Sequence, residues 1–100
     1  MLDITYKSNK LERVCTIYEK AKKQYGDPMA TKIHQRINEL QAADSIEMLV
    51  QYSVGRCHPL NGNRMGQYAM DLVHPFRLVF KEKSNNNIES IQIESIEDYH

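Results

Sequence analysis

The chain has no excess charge of either sign: 13 Lys and Arg are matched by 13 Asp and Glu in 100 residues. Binding to nucleic acid through a global cationic field needs a basic chain, so it is excluded for the molecule as a whole. Long apolar runs are missing too. None approaches the ~20 residues of a membrane-spanning helix, so neither a transmembrane segment nor a membrane partner is expected. The opening MLDITYKSNK lacks a basic stretch followed by an apolar one, and no secretory signal is expected. Cysteine is sparse. Cys15 and Cys57 make no disulfide framework and fit a reducing cytosol, which points to a cytoplasmic protein. The four glycines, Gly26, Gly55, Gly62 and Gly66, never fall into a Walker or Rossmann pattern, which excludes those phosphate loops. No spacing suggests a Ser-His-Asp or Cys-His nucleophile. Cys57, His58, His74 and His100 do not form the closely spaced pairs that hold zinc, so neither metal nor cofactor is expected.

What is present is ordinary globular material, 41% hydrophobic and 26% charged, with length for one small domain over residues 1–100. A core this small makes a stabilising partner unsurprising. The balanced charge is also segregated along the chain. From Met1 to Arg36 eight bases stand against four acids. Between Ile37 and Gly55 only Glu39, Asp44 and Glu47 are charged. Bases return at Arg56, Arg64, Arg77, Lys81 and Lys83, and the last stretch is acidic through Glu89, Glu94, Glu97 and Asp98. A local basic face can steer a polyanion whatever the net charge. Solvated helix surfaces account equally well for the N-terminal lysines.

Leu2, Ile4 and Tyr6 alternate with polar residues, which predicts a short half-buried strand. Asn9 and Glu12 have capping-box spacing. Leu11, Val14, Cys15, Tyr18, Ala21 and Tyr25 predict one helix, stopped by Gly26. Asp27 as cap, with Pro28 at the first helical position, opens a second helix whose buried stripe is Ala30, Ile33, Ile37 and Leu40. The short joint predicts an antiparallel helical hairpin. Asp44 or Ser45 caps a third, short helix through Ile46, Met48 and Leu49. Beyond Gly55 the period changes to two. Arg56-Cys57-His58 reads as a short strand ended by Pro59, and Asn61 to Gly66 as a loop. Tyr68, Met70 and Leu72 mark the next strand, His74-Pro75 a turn, and Phe76, Leu78 and Phe80 another strand. Ser84 to Asn87 reads as a polar turn before a last strand at Ile91 and Ile93. The predicted class is α+β: an N-terminal strand and helical hairpin packed on a small, twisted, mainly antiparallel sheet.

Two stretches carry chemistry. One is the loop Cys57-His58-Pro59-Leu60-Asn61-Gly62-Asn63-Arg64, and the other is the tail Glu97-Asp98-Tyr99-His100. With Arg77 on a strand they supply two imidazoles, guanidinium groups, a phenol and carboxylates. That set suffices to cleave RNA without a metal, because the 2′-hydroxyl is itself a nucleophile. The protein then needs only to move protons and stabilise charge. Imidazole titrates near neutrality and suits the first task; the guanidinium fork matches phosphate oxygens and suits the second.

The segment CHPLNGNRMGQYAMDLVHPFRLVF (57–80), closing with IEDYH (96–100), resembles the HigB branch of the RelE/ParE toxin superfamily. The shared elements are an H-P-L-[KN]-G loop, a G-x-[WY] strand, an R-[IL]-x-F strand and a terminal E-D-Y-H. The resemblance implies the toxin of a type II toxin–antitoxin system, an mRNA interferase that cleaves messenger on the ribosome. It also implies a cognate helix-turn-helix antitoxin as partner. Carried over by position, His58 and His100 share acid and base duties, and Arg77 stabilises the pentavalent phosphate. Asp98 orients a histidine or the RNA, and Tyr99 stacks on or positions the base. Asn61 and Arg64 are expected to contact RNA in the loop, and Lys20, Lys22 and Lys23 on the helices. The chain departs from the pattern at Asn61, where many members have Lys, and at Tyr68, where Trp is frequent. A ParE-like gyrase poison and a catalytically decayed partner-binding module are the alternatives on the same scaffold. The Asp98-Tyr99-His100 tail distinguishes the nuclease from the gyrase poison.

Overall fold

Alternating apolar residues from both ends of the chain meet in one sheet. The computed structural model describes residues 1–83 and 89–99. Strand β1 (Asp3–Tyr6) leads into helices α1 (Asn9–Thr16), α2 (Tyr18–Tyr25), α3 (Asp27–Ala42) and α4 (Ile46–Gln51). Strands β2 (His58–Pro59), β3 (Gln67–Asp71), β4 (Phe76–Glu82) and β5 (Ser90–Asp98) follow. The order across the sheet is β1-β5-β4-β3-β2. Only β1 against β5 is parallel among these pairings; the others are antiparallel. The α+β architecture expected from the sequence is the one observed.

The helices cover one face of the sheet. Met70, Leu78, Phe80, Ile91 and Ile93 pack in one cluster with Ile33, Ile37 and Leu40 of α3 and Ile46 and Leu49 of α4. Burial of these aliphatic side chains is the main stabilising contribution. Ala69 and Val79 are fully buried as well, yet lie outside that cluster. They sit on the opposite face, where residues directly across from one another project to the same side. Two rows cross that face. One is His58–Ala69–Val79–Ser95 and the other is Asp71–Arg77–Glu97. An apolar floor of Ala69 and Val79 is therefore roofed by polar and charged side chains.

Several local expectations are corrected. The single helix predicted through Tyr25 breaks at Ile17, whose backbone is extended (φ −115°, ψ 109°). Thr16 there turns its hydroxyl back to the Glu12 carbonyl at 2.7 Å, a contact that bends helices. The α1 cap is Ser8 rather than Asn9, accepting from the Leu11 N–H at 3.1 Å. Gly26, at φ 91°, both ends α2 and caps α3. Asp27 is thus the first helical residue, not the cap, and Pro28 the second. The Asp27 carboxylate instead accepts from the Tyr18 hydroxyl at 2.7 Å, tying α2 to α3. Ser45 caps α4, as one of the two expected candidates. Residues Val54–Arg56 form a 3-10 turn, so the short strand begins at His58 and includes Pro59. Proline is tolerated there because β2 is an edge strand. The His74-Pro75 turn is present, with a cis peptide bond. The turn expected at Ser84 to Asn87 lies outside the described residues.

Arg36, expected only as one of the N-terminal bases, is 8% exposed. It leaves α3 to donate from Nε to the Asp71 carbonyl at 2.6 Å and from Nη1 to Glu39 at 2.9 Å. Its guanidinium lies against Gly55, where an added Cβ would be 2.7 Å from Nε at a backbone φ of +57°. Gly55→Ala combines that clash with left-handed strain. It is expected to destabilise the fold by about 2 kcal/mol, measured by urea denaturation as a lower midpoint at unchanged slope.

Candidate functional site

The row Asp71–Arg77–Glu97 places a guanidinium between two carboxylates on adjacent strands. Arg77, with its side chain 16% exposed, donates from Nη2 to Glu97 Oε1 at 3.3 Å. Arg64 ends the 3-10 turn Gly62–Arg64 and reaches the same carboxylate with both terminal nitrogens, at 2.8 and 2.5 Å. Its Nε donates to Gln67 Oε1 at 2.8 Å, which fixes the plane of the fork. The Ser95 hydroxyl adds a fourth donor to Glu97, at 2.7 Å. Hydrogen bonding from Arg64, aided by Ser95 and Arg77 against a desolvation cost, lowers the Glu97 carboxyl to about 2. Glu97 is therefore an anion throughout the physiological range.

Tyr99 follows β5 and is pinned by its N–H to the Pro75 carbonyl at 3.2 Å. Its ring lies beneath the Arg77 guanidinium, 4.6 Å from the carbon to the ring centroid, a cation–π contact. The Tyr99 hydroxyl points to Asp71 Oδ1 at 3.5 Å. Asp71 is also gripped by Arg56, whose Nε donates to Oδ2 at 2.6 Å. Arg77 Nε is buried and has no acceptor among the described residues. The guanidinium is a planar fork of the kind that matches phosphate, and its side chain is 16% exposed.

His58 occupies the neighbouring row, about 7 Å along the strands from Asp71–Arg77–Glu97. Its Nδ1 lies 2.7 Å from the Arg56 carbonyl oxygen. A carbonyl only accepts, so Nδ1 carries the proton and the neutral ring keeps its lone pair on Nε2. Next to it, burial pushes the Cys57 thiol up to about 12, which removes the thiolate as a nucleophile. The same cause holds Cys15 at about 12 in the helical core.

The fold thus brings His58, Arg64, Arg77 and Tyr99 to one face. Asp98 is paired with Phe76 and, by strand alternation, stands on the side opposite Glu97. The carboxylate facing Arg77 is consequently Glu97, which sequence reasoning did not select. Asn61 is exposed ahead of the turn, its carbonyl accepting from the Arg64 N–H at 3.3 Å. Lys20, Lys22 and Lys23 are exposed on α2. Lys20 and Lys23 line a concavity with Lys10 and Arg13 of α1. Those four bases form no ion pair among the described residues, whereas Lys22 lies 3.9 Å from Asp27. His100 lies outside the described residues. Glu97 was detectable, being two residues before Tyr99 on a strand; Asp71 and Arg56 carried no comparable signal. Among the described residues no group of three or more His, Cys, Asp or Glu is arranged to hold a metal ion, and no helix is long and apolar enough to cross a membrane.

No protein-family model matches the chain. No curated protein matches it by sequence. Solved structures do match over the full length. A YoeB/ParE toxin from Agrobacterium tumefaciens superposes with a TM-score of 0.65 at 14% identity, covering 99% of this chain and 100% of its own. YoeB in the YoeB–YefM complex from Staphylococcus aureus gives 0.62 at 25% identity, covering 100% and 98%. A heterotetrameric YoeB–YefM toxin–antitoxin complex from the same organism gives 0.54 at 26% identity, again covering 100% and 98%. The architecture, helices packed on a five-stranded sheet, is the fold of the YoeB and ParE toxins.

Proposed function

We propose that the protein is the toxin of a toxin–antitoxin pair and a metal-independent endoribonuclease that cuts messenger RNA on the ribosome. The observation that carries this reading is Arg77, stacked on Tyr99 on the same open face as His58. His58 and His100 divide the proton transfers. One removes the proton of a ribose 2′-hydroxyl, whose oxygen attacks the adjacent phosphorus. The other protonates the departing 5′-oxygen as the P–O5′ bond breaks. Arg77 stabilises the charge of the pentavalent intermediate. The products are a 2′,3′-cyclic phosphate and a 5′-hydroxyl. Tyr99 positions the base, and Asn61 and Arg64 contact the strand near the turn; the orienting role expected of Asp98 is not kept, because its side chain projects to the face opposite Arg77. Lys20, Lys22 and Lys23, beside the unpaired Lys10 and Arg13, meet ribosomal RNA phosphates. The motifs 57–80 and 96–100 support the HigB branch within the RelE/ParE superfamily. The likeness to a toxin solved with YefM supports a cognate antitoxin, expected as a helix-turn-helix protein in the cytoplasm.

The test is cleavage of messenger by purified protein on translating ribosomes, with product ends identified. Wild type is expected to leave 2′,3′-cyclic phosphate ends and His100→Ala to abolish cutting. Ends bearing a 3′-hydroxyl contradict attack by the 2′-oxygen. The reading as a non-catalytic partner-binding module is favoured by one feature, the engagement of Arg64 and Arg77 by Glu97. It predicts antitoxin binding with no cleavage at all.

A further inference from the structure

We infer that Arg56 and Asp71 are a positioning pair that fixes His58 as its Nδ1–H tautomer; this rests on reading the face as an RNA-cleaving site. The segment before β2 is unusual in its backbone. Ser53, Gly55 and Arg56 all have positive φ, at 51°, 57° and 54°. A side-chain-bearing residue adopts that region only when its surroundings hold it there. For Arg56 the consequence is the placement of its carbonyl oxygen, 2.7 Å from His58 Nδ1. The N–H of the same residue is held by the Ser53 carbonyl at 3.0 Å.

The side chain of the same residue is tied to the neighbouring strand β3. Arg56 Nε and Nη2 reach Asp71 Oδ2 and Oδ1 at 2.6 and 3.4 Å. Asp71 lies two residues along β3 from Ala69, which is the partner of His58 across the strands. The chain from Arg56 to His58, the β2–β3 pairing and the ion pair therefore form one closed ring. Asp71 is itself fixed from behind, since buried Arg36 donates to its carbonyl at 2.6 Å. Arg36 also fills the space against Gly55 in the same turn. The Arg56 side chain is 67% exposed, and ion pairs in that setting contribute little stability. Its geometric effect is the more telling one. A ring donating from Nδ1 presents Nε2 to the open face, so the pair selects which nitrogen exchanges a proton with the RNA. The Tyr99 hydroxyl on Asp71 Oδ1 links the same carboxylate to the ring beneath Arg77.

The experiment reads the tautomer directly, from ring-nitrogen chemical shifts of 15N-labelled full-length protein without RNA, above the imidazole titration. Wild type is expected to show a protonated Nδ1 and an unprotonated Nε2 at His58. Arg56→Ala and Asp71→Asn are expected to raise the Nε2–H population, with Arg56→Lys recovering part of the wild-type signal. Cleavage falls by roughly ten- to hundred-fold in these variants, in kcat more than in KM. A tautomer unchanged in both Asp71→Asn, which preserves side-chain volume, and Arg56→Ala overturns the positioning pair even if wild type cleaves RNA. A shifted tautomer in variants of a protein that never cleaves RNA supports the pair and overturns the RNA-cleaving reading.

Discussion

Arg77→Lys is expected to slow messenger cleavage by roughly two to three orders of magnitude, the cost of one preorganised donor at a charge-developing oxygen. Lysine keeps the positive charge, so simple attraction of RNA survives and KM changes little. What it loses is the planar fork. Arg77 uses Nη2 on Glu97 at 3.3 Å and lays its guanidinium on Tyr99. An ammonium cannot make both contacts and also present a planar fork to phosphate. The fold should tolerate the change, because Arg64 still holds Glu97 with two short hydrogen bonds. Circular dichroism and the urea midpoint check that point, and single-turnover cleavage on ribosomes measures the effect. A rate within about threefold of wild type would show that no transition-state charge develops at this guanidinium.

The sequence made the large elements legible for physical reasons that can be named. Period-two alternation survives in β3 and β4 because one face packs on helices and the other is polar except at Ala69 and Val79, and Ala30, Ile33, Ile37 and Leu40 mark the buried side of α3. The break at Ile17 was not legible. Its helical periodicity continues unbroken from Leu11 to Tyr25, and only the hydroxyl of Thr16 and the β-branched pair hint at the interruption. At the site, His58, Arg77 and Tyr99 were legible because each lies in a local motif. The acidic partners were not, since they are chosen by register across strands. Glu97 rather than Asp98 faces Arg77 because alternation along β5 assigns it to that side. Arg36 looked like a surface base and proved to be a buried tie between α3 and β3, reached through a chain separation no local pattern encodes.

Glu97→Gln is expected to tighten RNA binding while weakening the fold, and the two effects have one origin. In the free protein the single Glu97 carboxylate is shared by Arg64 and Arg77 and offsets half of their combined charge. An incoming phosphate must compete with that carboxylate. The amide releases both guanidinium groups while keeping the side chain's shape. The dependence of log affinity on log salt should then steepen by roughly 0.7 for each phosphate newly engaged on a single strand. Stability moves the other way. The folded carboxyl is lowered from 4.5 to about 2, chiefly by Arg64. Its contribution is therefore fully present above about pH 4.5 and lost as pH falls through 4.5 toward 2. Screening at the partly exposed pair leaves about 1–2 kcal/mol of this at neutral pH. Wild type should show that acid-induced decline in melting temperature, and Glu97→Gln should start lower and decline less across the same window. A variant whose RNA affinity and salt slope both match wild type would mean that Arg64 and Arg77 never exchange Glu97 for phosphate. Charge stabilisation at the scissile phosphate would then have to come from groups other than this row.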